Sequence, residues 1–332
     1  MPVTAKDIAR ELNLSQPTVS RILNGDRQHR ISESTRKRVM ETASRLEYQP
    51  NAVARSLRRG RTNVVGLYTN HNYDARNQFF GTVIGGLQRA CEGHGLDLLL
   101  HSAYRKCTTH DVYGNLRDGR IDGLILHASP DDPLVERLGK SVLPVVAIAD
   151  PVPHVPVVTC DDADGMRQIV HYLVGRGYTR FAFLAPRMHL GSVQRRQESF
   201  ICELQRQGFK ERDYSIIAID FENVLPSMDE LLRCGQGAAV CCWNDRTAYN
   251  LLHACIERGL RVPEEMAITG FDGFRDLSIP ARQVVSIHCP WDRVAASALD
   301  LLMDMIKSVD SRSAAGVAEV SLPVELATGD TA

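Results

Sequence analysis

Beyond residue 62, apolar runs of strand length alternate with helical stretches, and this alternation constrains the fold more than any other feature of the chain. The runs are VVGLY (64–68), LDLLLHS (96–102), GLILHA (123–128), VVAIAD (145–150), VPVVTCD (155–161), RFAFLAP (180–186), SIIAID (215–220), AAVCCW (238–243) and MAITGFD (266–272). Strands that alternate with helices form parallel sheets covered on both faces. The two series, before and after residue 162, therefore predict two doubly wound parallel-sheet lobes.

Polar and aromatic side chains follow the ends of these strands. They are His127, Ser129, Asp150, Asp161, Phe221, Trp243, Asn244, Asp245 and Asp272. Ligands of doubly wound sheets bind beyond the carboxyl ends of the strands. Two lobes that face each other would therefore hold a ligand in the cleft between them.

The first 48 residues have a different, helical periodicity, which predicts three short helices. The apolar positions are Ile8, Leu12, Val19, Ile22, Leu23, Val39, Ala43 and Leu46. Thr4 begins the first helix with Asp7 as its capping-box partner, and Asn13, which tolerates positive φ, ends it. Ser15 caps the second helix, Pro17 lies in its first turn, Asn24-Gly25 closes it, and Ser32 opens the third helix.

This head has the pattern of a helix-turn-helix, with a second helix sized for the major groove. Residues 1–61 hold 13 Lys and Arg against 6 Asp and Glu, while the remaining residues hold 26 against 34. A basic head on an acidic body indicates that the head meets a polyanion. The alternative is a generic three-helix subdomain docked on its neighbour.

Composition excludes several other classes. No run of about 18 apolar residues occurs, and the start MPVTAKDIARELN lacks the apolar core of a signal peptide, so we expect a cytoplasmic protein with no membrane span. The nine cysteines are scattered without CxxC spacing. We therefore expect reduced thiols, no metal site and no cofactor.

The stretch VTAKDIARELNLSQPTVSRILNG, followed by RISESTRKRVMETASRLEYQPNAVARSLRRGRTNVVGL, closely resembles the N-terminus of the LacI/GalR family of bacterial repressors. The resemblance implies a homodimer whose second helices enter successive major grooves of a pseudo-palindromic operator in double-stranded DNA. It places base reading on Gln16 and Pro17, of which Gln16 can pair with adenine and Pro17 can give only apolar contact. Thr18, Ser20 and Arg21 suit phosphate or secondary base contacts.

The segment PNAVARSLRRGRT (50–62) holds a single leucine, Leu57, in a polar and basic run. It is too short for a stable isolated helix in water. The resemblance implies that it becomes a hinge helix on operator DNA and that Leu57 enters the minor groove as a wedge. The alternative is a flexible basic linker whose leucine packs loosely on the body.

These arguments predict three segments: a helix-turn-helix domain at 1–49, a hinge helix and linker at 50–62, and an effector-binding and dimerisation domain at 63–332. Within the last, the first lobe spans about 63–161 plus 291–320, and the second about 162–290 plus 321–332. The predicted DNA contacts are Thr4, Ser15, Gln16, Pro17, Thr18, Ser20, Arg21, Asn24, Arg30, Asn51, Ala54, Arg55, Leu57 and Arg58.

The body is similar to the sugar-binding lobes of the same repressors, most clearly in CCWNDRTAYNLLHACIERGLRVPEEMAITGFDGF. The resemblance implies effector contacts at Asn244 and Asp272, and SVQRRQESF places the family's ligand-binding arginine at Arg196. NQFF supplies Phe79 or Phe80 as a wall of the cleft, and Phe221 falls on the position of a stacking aromatic. The predicted effector site comprises Phe79, Phe80, His127, Asp150, Arg196, Phe221, Trp243, Asn244 and Asp272.

Arginine, carboxylate, amide and aromatic faces together suit a hydroxyl-rich ligand such as a sugar. Each residue also has a structural alternative. Asp272 and Asn244 could cap helices, Phe79 or Phe80 could belong to the core, and His127 could be a satisfied structural histidine.

Rival functions have less support from the sequence. An enzyme lacks its motifs: GQGAAV (235–240) precedes a strand rather than following one, and neither GxSxG nor HExxH occurs. A periplasmic sugar receptor would need export and has no use for a DNA-binding head. We therefore predict a non-enzymatic regulator, a repressor controlled by a small, carbohydrate-like effector. The alternative of a regulator with the same fold, no small-molecule effector and control by a protein partner stays open.

Overall fold

The protein forms two compact units, Met1–Thr62 and Asn63–Ala332. The computed structural model describes residues 3–25, 31–49, 56, 60–70, 77–101, 108–188, 190–221, 223–235, 237–274, 282–309 and 318–332.

The first unit contains three helices, α1 (Ala5–Leu12), α2 (Gln16–Leu23) and α3 (Glu33–Arg45). The predicted capping box is present: the backbone N of Thr4 donates to Asp7 Oδ2 over 3.0 Å, and the backbone N of Asp7 donates to Thr4 Oγ1 over 3.4 Å. Asn13 ends α1 with φ of 53°. A short polar residue therefore stands where the chain must turn left-handed.

The second and third helices begin as the sequence predicts. Ser15 Oγ accepts from the backbone N of Thr18 over 3.3 Å, and Ser32 Oγ accepts from that of Thr35 over 3.2 Å. All three helices contribute to one small core, made of Ile8, Ala9, Val19, Ile22, Val39 and Ala43. This core explains why three helices of 8, 8 and 13 residues hold together although each alone would be marginal.

Of the predicted hinge, only Ser56 and residues 60–62 are among the described residues. The backbone N of Gly60 donates to the carbonyl oxygen of Ser56 over 2.8 Å. The predicted contacts Arg30, Asn51, Ala54, Arg55, Leu57 and Arg58 lie outside the described residues. The hinge helix and its leucine wedge therefore stay predictions.

The second unit contains two parallel sheets. The first has the strand order β11-β5-β4-β3-β1-β2, with every neighbouring pair parallel. Its strands are β1 (Val64–Thr69), β2 (Asp97–His101), β3 (Gly123–His127), β4 (Val145–Ile148), β5 (Val157–Cys160) and β11 (Glu319–Leu322). The helices of this lobe are α4 (Gln78–His94), α5 (Thr109–Leu116), α6 (Pro133–Gly139) and α11 (Trp291–Val309).

The second sheet has the order β7-β6-β8-β9 and is also parallel. Its strands are β6 (Phe181–Pro186), β7 (Tyr214–Ile219), β8 (Ala238–Cys242) and β9 (Met266–Thr269). Its helices are α7 (Asp162–Gly175), α8 (Gly191–Arg206), α9 (Met228–Arg233) and α10 (Asp245–Glu257), with single 3-10 turns at Glu211–Asp213 and Leu225–Ser227. The two predicted doubly wound lobes are thus confirmed.

An antiparallel pair, β10 (Ser286–His288) with β12 (Glu325–Ala327), was not predicted. Isolated bridges join Thr269 to Val285 and Asp272 to His288, so β10 continues the second sheet beyond β9. Three-residue strands carry too little periodicity to be found by pattern.

In the described part of the chain, the backbone passes between the lobes three times: from β5 to α7, from β10 to α11, and from β11 to β12. The first two crossings bring Asp162 and Trp291 to the region between the lobes. No helix in the described ranges combines the length and apolarity that a bilayer span requires.

The central strands are buried along their whole length, as parallel strands covered on both faces must be. Residues 123–127 of β3 and 238–242 of β8 are all buried. Cys241 and Cys242 are free thiols within β8 and form part of the core.

Candidate functional site

A cavity of about 780 Å³ lies at the carboxyl ends of the strands of both lobes. It brings together all nine residues of the predicted effector site: Phe79, Phe80, His127, Asp150, Arg196, Phe221, Trp243, Asn244 and Asp272. Sequence reasoning missed other lining residues, namely Asn70, Asn77, Gln78, Ala149, Met188, Leu190, Ser192, Asp245, Arg246, Tyr249, Asn250, Phe274 and Trp291. Of these, only Asp245 was noticed at a strand end.

Arg196, on α8, is 3% exposed and its guanidinium is fixed on several sides. Nε donates to Asp162 Oδ1 over 2.7 Å and Nη1 donates to the carbonyl oxygen of Trp243 over 2.6 Å. The guanidinium carbon lies 3.8 Å from the centre of the Phe271 ring, and Nη2 lies 3.7 Å from Asp272 Oδ1. Burial alone would lower the pKa of Arg196, but Asp162 and Asp272 outweigh it and raise that pKa, so the group stays cationic.

Asp162, in the first turn of α7, supports this arginine and was not predicted. It also accepts from Nε and Nη2 of Arg195 over 2.9 and 2.6 Å. Nη2 of Arg195 additionally donates to the carbonyl oxygen of Ala149, in the first lobe, over 2.9 Å. The paired arginines in SVQRRQESF were the available signal, because two adjacent buried or half-buried guanidiniums require carboxylate partners.

Asp272 follows β9 with φ of 122°, and its backbone N donates to the carbonyl oxygen of Ile287 over 2.9 Å. Burial raises the pKa of its carboxyl well above the usual range; Arg196 opposes this rise, and the charge of Asp245 adds to it. Asp272 therefore sits after a strand rather than at a helix start, and its carboxylate faces the arginine.

Asp245, in the first turn of α10, is 1% exposed. Burial raises its pKa to about 6, although Ser286 Oγ and the backbone N of Phe274 each donate to it over 2.5 Å. Asn244 caps the same helix, since its Oδ1 accepts from the backbone N of Thr247 over 2.8 Å. Asn244 is thus both a cap and a lining residue, and what its side chain retains for a ligand is the amide nitrogen.

In the first lobe, His127 lies between two oxygen groups. Nε2 is 3.4 Å from Asp150 Oδ2, and Nδ1 is 3.3 Å from Thr69 Oγ1. Asp150 Oδ1 also accepts from the backbone N of Ser192 on α8, in the second lobe, over 2.6 Å. Burial opposes ionisation of Asp150, but the hydrogen bond and charge of His127, with the Ser192 N–H, outweigh it and lower the pKa to about 2.

Aromatic rings form one wall of the cavity. The ring of Phe79 lies 5.1 Å from that of His127, 5.1 Å from that of Phe80 and 4.8 Å from that of Trp291. Phe80 is only 3% exposed and is mainly a core residue, whereas Phe221 is 42% exposed, with its ring 6.1 Å from that of Trp243. Phe221 therefore has the greater free surface for a ligand.

Two buried polar atoms of the lining, Trp243 Nε1 and Asn70 Oδ1, have no hydrogen-bond partner among the described residues, while Trp291 interacts with the Asp272 carboxyl group. Buried polar groups are nearly always paired, so such atoms point to water or a ligand. The backbone is also unusual here, since Ala149 (φ 66°), Phe221 (φ 53°) and Asp272 (φ 122°) all line the cavity at positive φ. Strain of this kind concentrates at functional sites.

In the first unit, α2 buries Val19 and Ile22 and exposes Gln16, Pro17 and Arg21. Among the other predicted DNA contacts, Thr4, Ser15 and Asn24 are also exposed, while Thr18 and Ser20 are half-buried. Several already have local partners: Ser15 Oγ lies 2.8 Å from Thr18 Oγ1, and Asn24 Nδ2 donates to the carbonyl oxygen of Ser20 over 2.5 Å. Gln16 and Arg21 thus offer the exposed polar side chains of this helix.

Each of the two units resembles a known protein family. Residues 4–51 match the family model of bacterial regulatory proteins of the lacI family, and residues 170–332 match that of a periplasmic binding protein-like domain. The chain is 30% identical over 325 residues to catabolite control protein A of Priestia megaterium, covering 94% of this chain and 95% of that protein. It is 28% identical over 318 residues to the HTH-type transcriptional repressor PurR of Vibrio cholerae serotype O1, covering 92% and 91%.

Solved structures show the same fold. The Lac repressor dimer bound to operator and the anti-inducer ONPF superposes with a TM-score of 0.84 at 22% identity, covering 100% of this chain and 99% of that one. The transcriptional regulator CelR in complex with cellobiose superposes with a TM-score of 0.70 at 24% identity, covering 99% and 100%. The chain therefore belongs to the lacI family of bacterial regulatory proteins, and it is a DNA-binding transcriptional repressor rather than an enzyme.

Proposed function

We propose that the protein is a homodimeric repressor whose affinity for a pseudo-palindromic operator is set by a small carbohydrate in the cleft between the lobes. The observation that carries the proposal is the fixed pair of Arg196 and Asp272 in a cavity of about 780 Å³ with an aromatic wall. An arginine and a carboxylate hold vicinal hydroxyls, and aromatic rings cover the apolar face of a sugar.

The related structures support two parts of this proposal. One neighbour in fold is a regulator in complex with cellobiose, which is a sugar, and another is a repressor dimer bound to operator. We infer from these a carbohydrate effector and a homodimer for this chain as well. In such a dimer, Gln16, Pro17 and Arg21 of each α2 would read one half-site.

A ligand controls DNA binding only if it binds two states of the protein with different affinity. Two hydrogen bonds already join the lobes across the cleft: from the backbone N of Ser192 to Asp150, and from Arg195 to the carbonyl oxygen of Ala149. Any change in the angle between the lobes must alter these bonds. A ligand that contacts His127 in the first lobe and Arg196 in the second therefore stabilises the angle between the lobes at which it can make both contacts.

The proposal is tested with the full-length chain in two linked measurements. An operator is first selected from random duplex DNA, and its affinity is measured by fluorescence anisotropy. Isothermal titration against mono- and disaccharides then identifies a ligand, which is expected to shift the operator affinity. If no sugar or sugar derivative binds while operator binding is intact, the cleft is not a carbohydrate site, and control by a protein partner becomes the better explanation.

A further inference from the structure

We propose that the cleft accepts an uncharged polyol and excludes ligands that carry a phosphate or a carboxylate group. The inference rests on the proposed function, since it assumes that the cleft binds a small molecule. It goes further by stating the charge of that molecule.

The first observation is the number of buried carboxyl groups around the cavity. Asp150, Asp245 and Asp272 line the cavity and Asp162 lies directly behind Arg196, with exposures of 1%, 1%, 8% and 3%. An incoming anion would lie close to several of these buried groups, among them the ionised carboxylate of Asp150. Repulsion between like charges in such a setting costs several kcal/mol.

The second observation is that the buried arginine has little left to offer an anion. Arg196 uses Nε for Asp162 and Nη1 for the carbonyl oxygen of Trp243, and its Nη2 faces Asp272. Arg195 is likewise occupied, by Asp162 and the carbonyl oxygen of Ala149. A phosphate would have to take Nη2 away from Asp272 and leave that buried carboxyl group without the cation that faces it.

The third observation is that the polar atoms of the lining that lack a direct hydrogen-bond partner need a ligand group that can both donate and accept hydrogen bonds. The 3.7 Å gap between Arg196 Nη2 and Asp272 Oδ1 exceeds a direct hydrogen bond, so a ligand atom can accept from the first and donate to the second. Trp243 Nε1 needs an acceptor, while Asn70 Oδ1 needs a donor. Hydroxyls satisfy all of these, whereas ionised phosphates and carboxylates can only accept.

Arg246 is the exposed arginine among the described lining residues, and it lies next to Asp245 at the start of α10. An exposed cation is screened by water and salt, so it offsets little of the repulsion from the buried carboxylates. The contribution of Arg246 to the affinity for anionic ligands is measured separately with Arg246→Gln.

The test uses matched ligands and the full-length protein. Parent sugars are screened by thermal shift and titrated calorimetrically next to their phosphate esters and aldonic acids, for example glucose with glucose 6-phosphate and gluconate, and cellobiose with cellobionate. For every series in which any member binds, we expect the parent to bind at least about tenfold more tightly than the anionic members. A phosphate ester or acid that binds as tightly as its parent overturns the proposal, as does anion binding that Arg246→Gln abolishes.

Asp150→Asn provides an independent check, because it removes one buried charge without changing the shape of the side chain, and its Oδ1 can still accept from the backbone N of Ser192. We expect the ratio of the parent sugar's affinity to the anion's affinity to decrease in this variant. The ratio should stay unchanged in the control Asp164→Asn, whose carboxylate pairs with Arg167 on the surface of α7. An unchanged ratio of these two affinities in a folded Asp150→Asn protein that still binds the parent sugar counts against the proposal. If no member of any series binds the wild type, the proposed function itself fails, which is a different result from tight binding of an anion.

Discussion

Nη2 of Arg196 lies 3.7 Å from Oδ1 of Asp272, near enough for charge attraction and too far for a direct hydrogen bond. The two residues come from different elements, α8 and the segment after β9, and Arg196 is held in place by Asp162 rather than by Asp272. The two residues therefore contribute differently. Arg196 contributes both to the stability of the second lobe and to ligand binding, whereas Asp272 contributes mainly to ligand binding.

Asp272→Asn should therefore weaken the ligand and spare the fold. Asparagine keeps an acceptor oxygen but makes a weaker hydrogen bond with a ligand hydroxyl, a loss of about 0.5–1.5 kcal/mol, which corresponds to roughly two- to tenfold in affinity. Operator binding without ligand should be unchanged, as measured by anisotropy on the selected operator. If the ligand-free variant loses operator binding, Asp272 has a structural role instead.

Arg196→Ala should behave differently, because it removes one of the two arginines that pair with buried Asp162 and leaves a void in its place. Breaking a buried ion pair from one side costs about 3–5 kcal/mol of the free energy of unfolding. Urea unfolding of the full-length protein measures this cost. The control Arg167→Ala removes an arginine that is 49% exposed and pairs with Asp164, and it should cost less than about 1 kcal/mol.

Asp245 predicts a dependence of stability on pH. Burial raises its pKa to about 6 in the folded protein, above the ordinary value of 3.8, so the folded state binds the proton more tightly than the unfolded state. This group's contribution to the free energy of unfolding is therefore greatest below about pH 4, and it falls as pH rises from about 4 to about 6.

Asp245→Asn isolates this effect, because asparagine can still accept a hydrogen bond from Ser286 but does not titrate. The difference in free energy of unfolding, wild type minus variant, should decrease between about pH 4 and 6 and then level off. Urea titrations at several pH values provide the difference. A flat difference over that range would mean that Asp245 ionises normally in the folded protein.

Much of the fold could be predicted because its signals are local. Thr4 with Asp7, Ser15 and Ser32 mark helix starts through hydrogen bonds that span three residues, and fully apolar runs such as 238–242 identify buried parallel strands. The site residues at strand ends, such as Asp150 and Asp272, follow from the same logic, since parallel strands end at one edge of the sheet.

The missed residues depend on contacts far apart in sequence. Asp162 reaches Arg196 across 34 positions, and Ser286 reaches Asp245 across 41. Trp291 directly follows the predicted change of lobe between residues 290 and 291, but no local pattern places its side chain in the cavity. The part of the site that sequence could not provide is therefore the set of residues that hold the arginine and the carboxylates in place.

Operator binding should weaken steeply with salt, because a basic head contacts DNA phosphates and releases counterions. Contacts with 6–10 phosphates would lower affinity by about 10³–10⁵ between 50 and 200 mM salt. Arg21→Gln should reduce the slope of log affinity against log salt by about one for each head. The control Arg212→Gln changes a side chain that is 84% exposed on the second unit, and it should leave the slope unaltered; a flat salt response of the wild type would contradict phosphate binding.

Leu57 provides the last prediction, which comes from sequence alone because this residue lies outside the described ranges. A leucine among Arg55, Arg58 and Arg59 has no core to join within its own segment, and as a minor-groove wedge it would unstack a base step and bend the duplex. Leu57→Ala removes apolar contact of about 1.5–3 kcal/mol and should weaken operator affinity about ten- to hundredfold, with a smaller bend angle in fluorescence energy transfer between the operator ends. The matched variant Leu57→Met keeps an apolar side chain of similar volume and should retain most of the operator affinity and most of the bend. If a folded Leu57→Ala protein bends the operator as much as the wild type does, Leu57 is not a minor-groove wedge, because insertion between base steps bends the duplex. The segment is then best explained as a flexible basic linker.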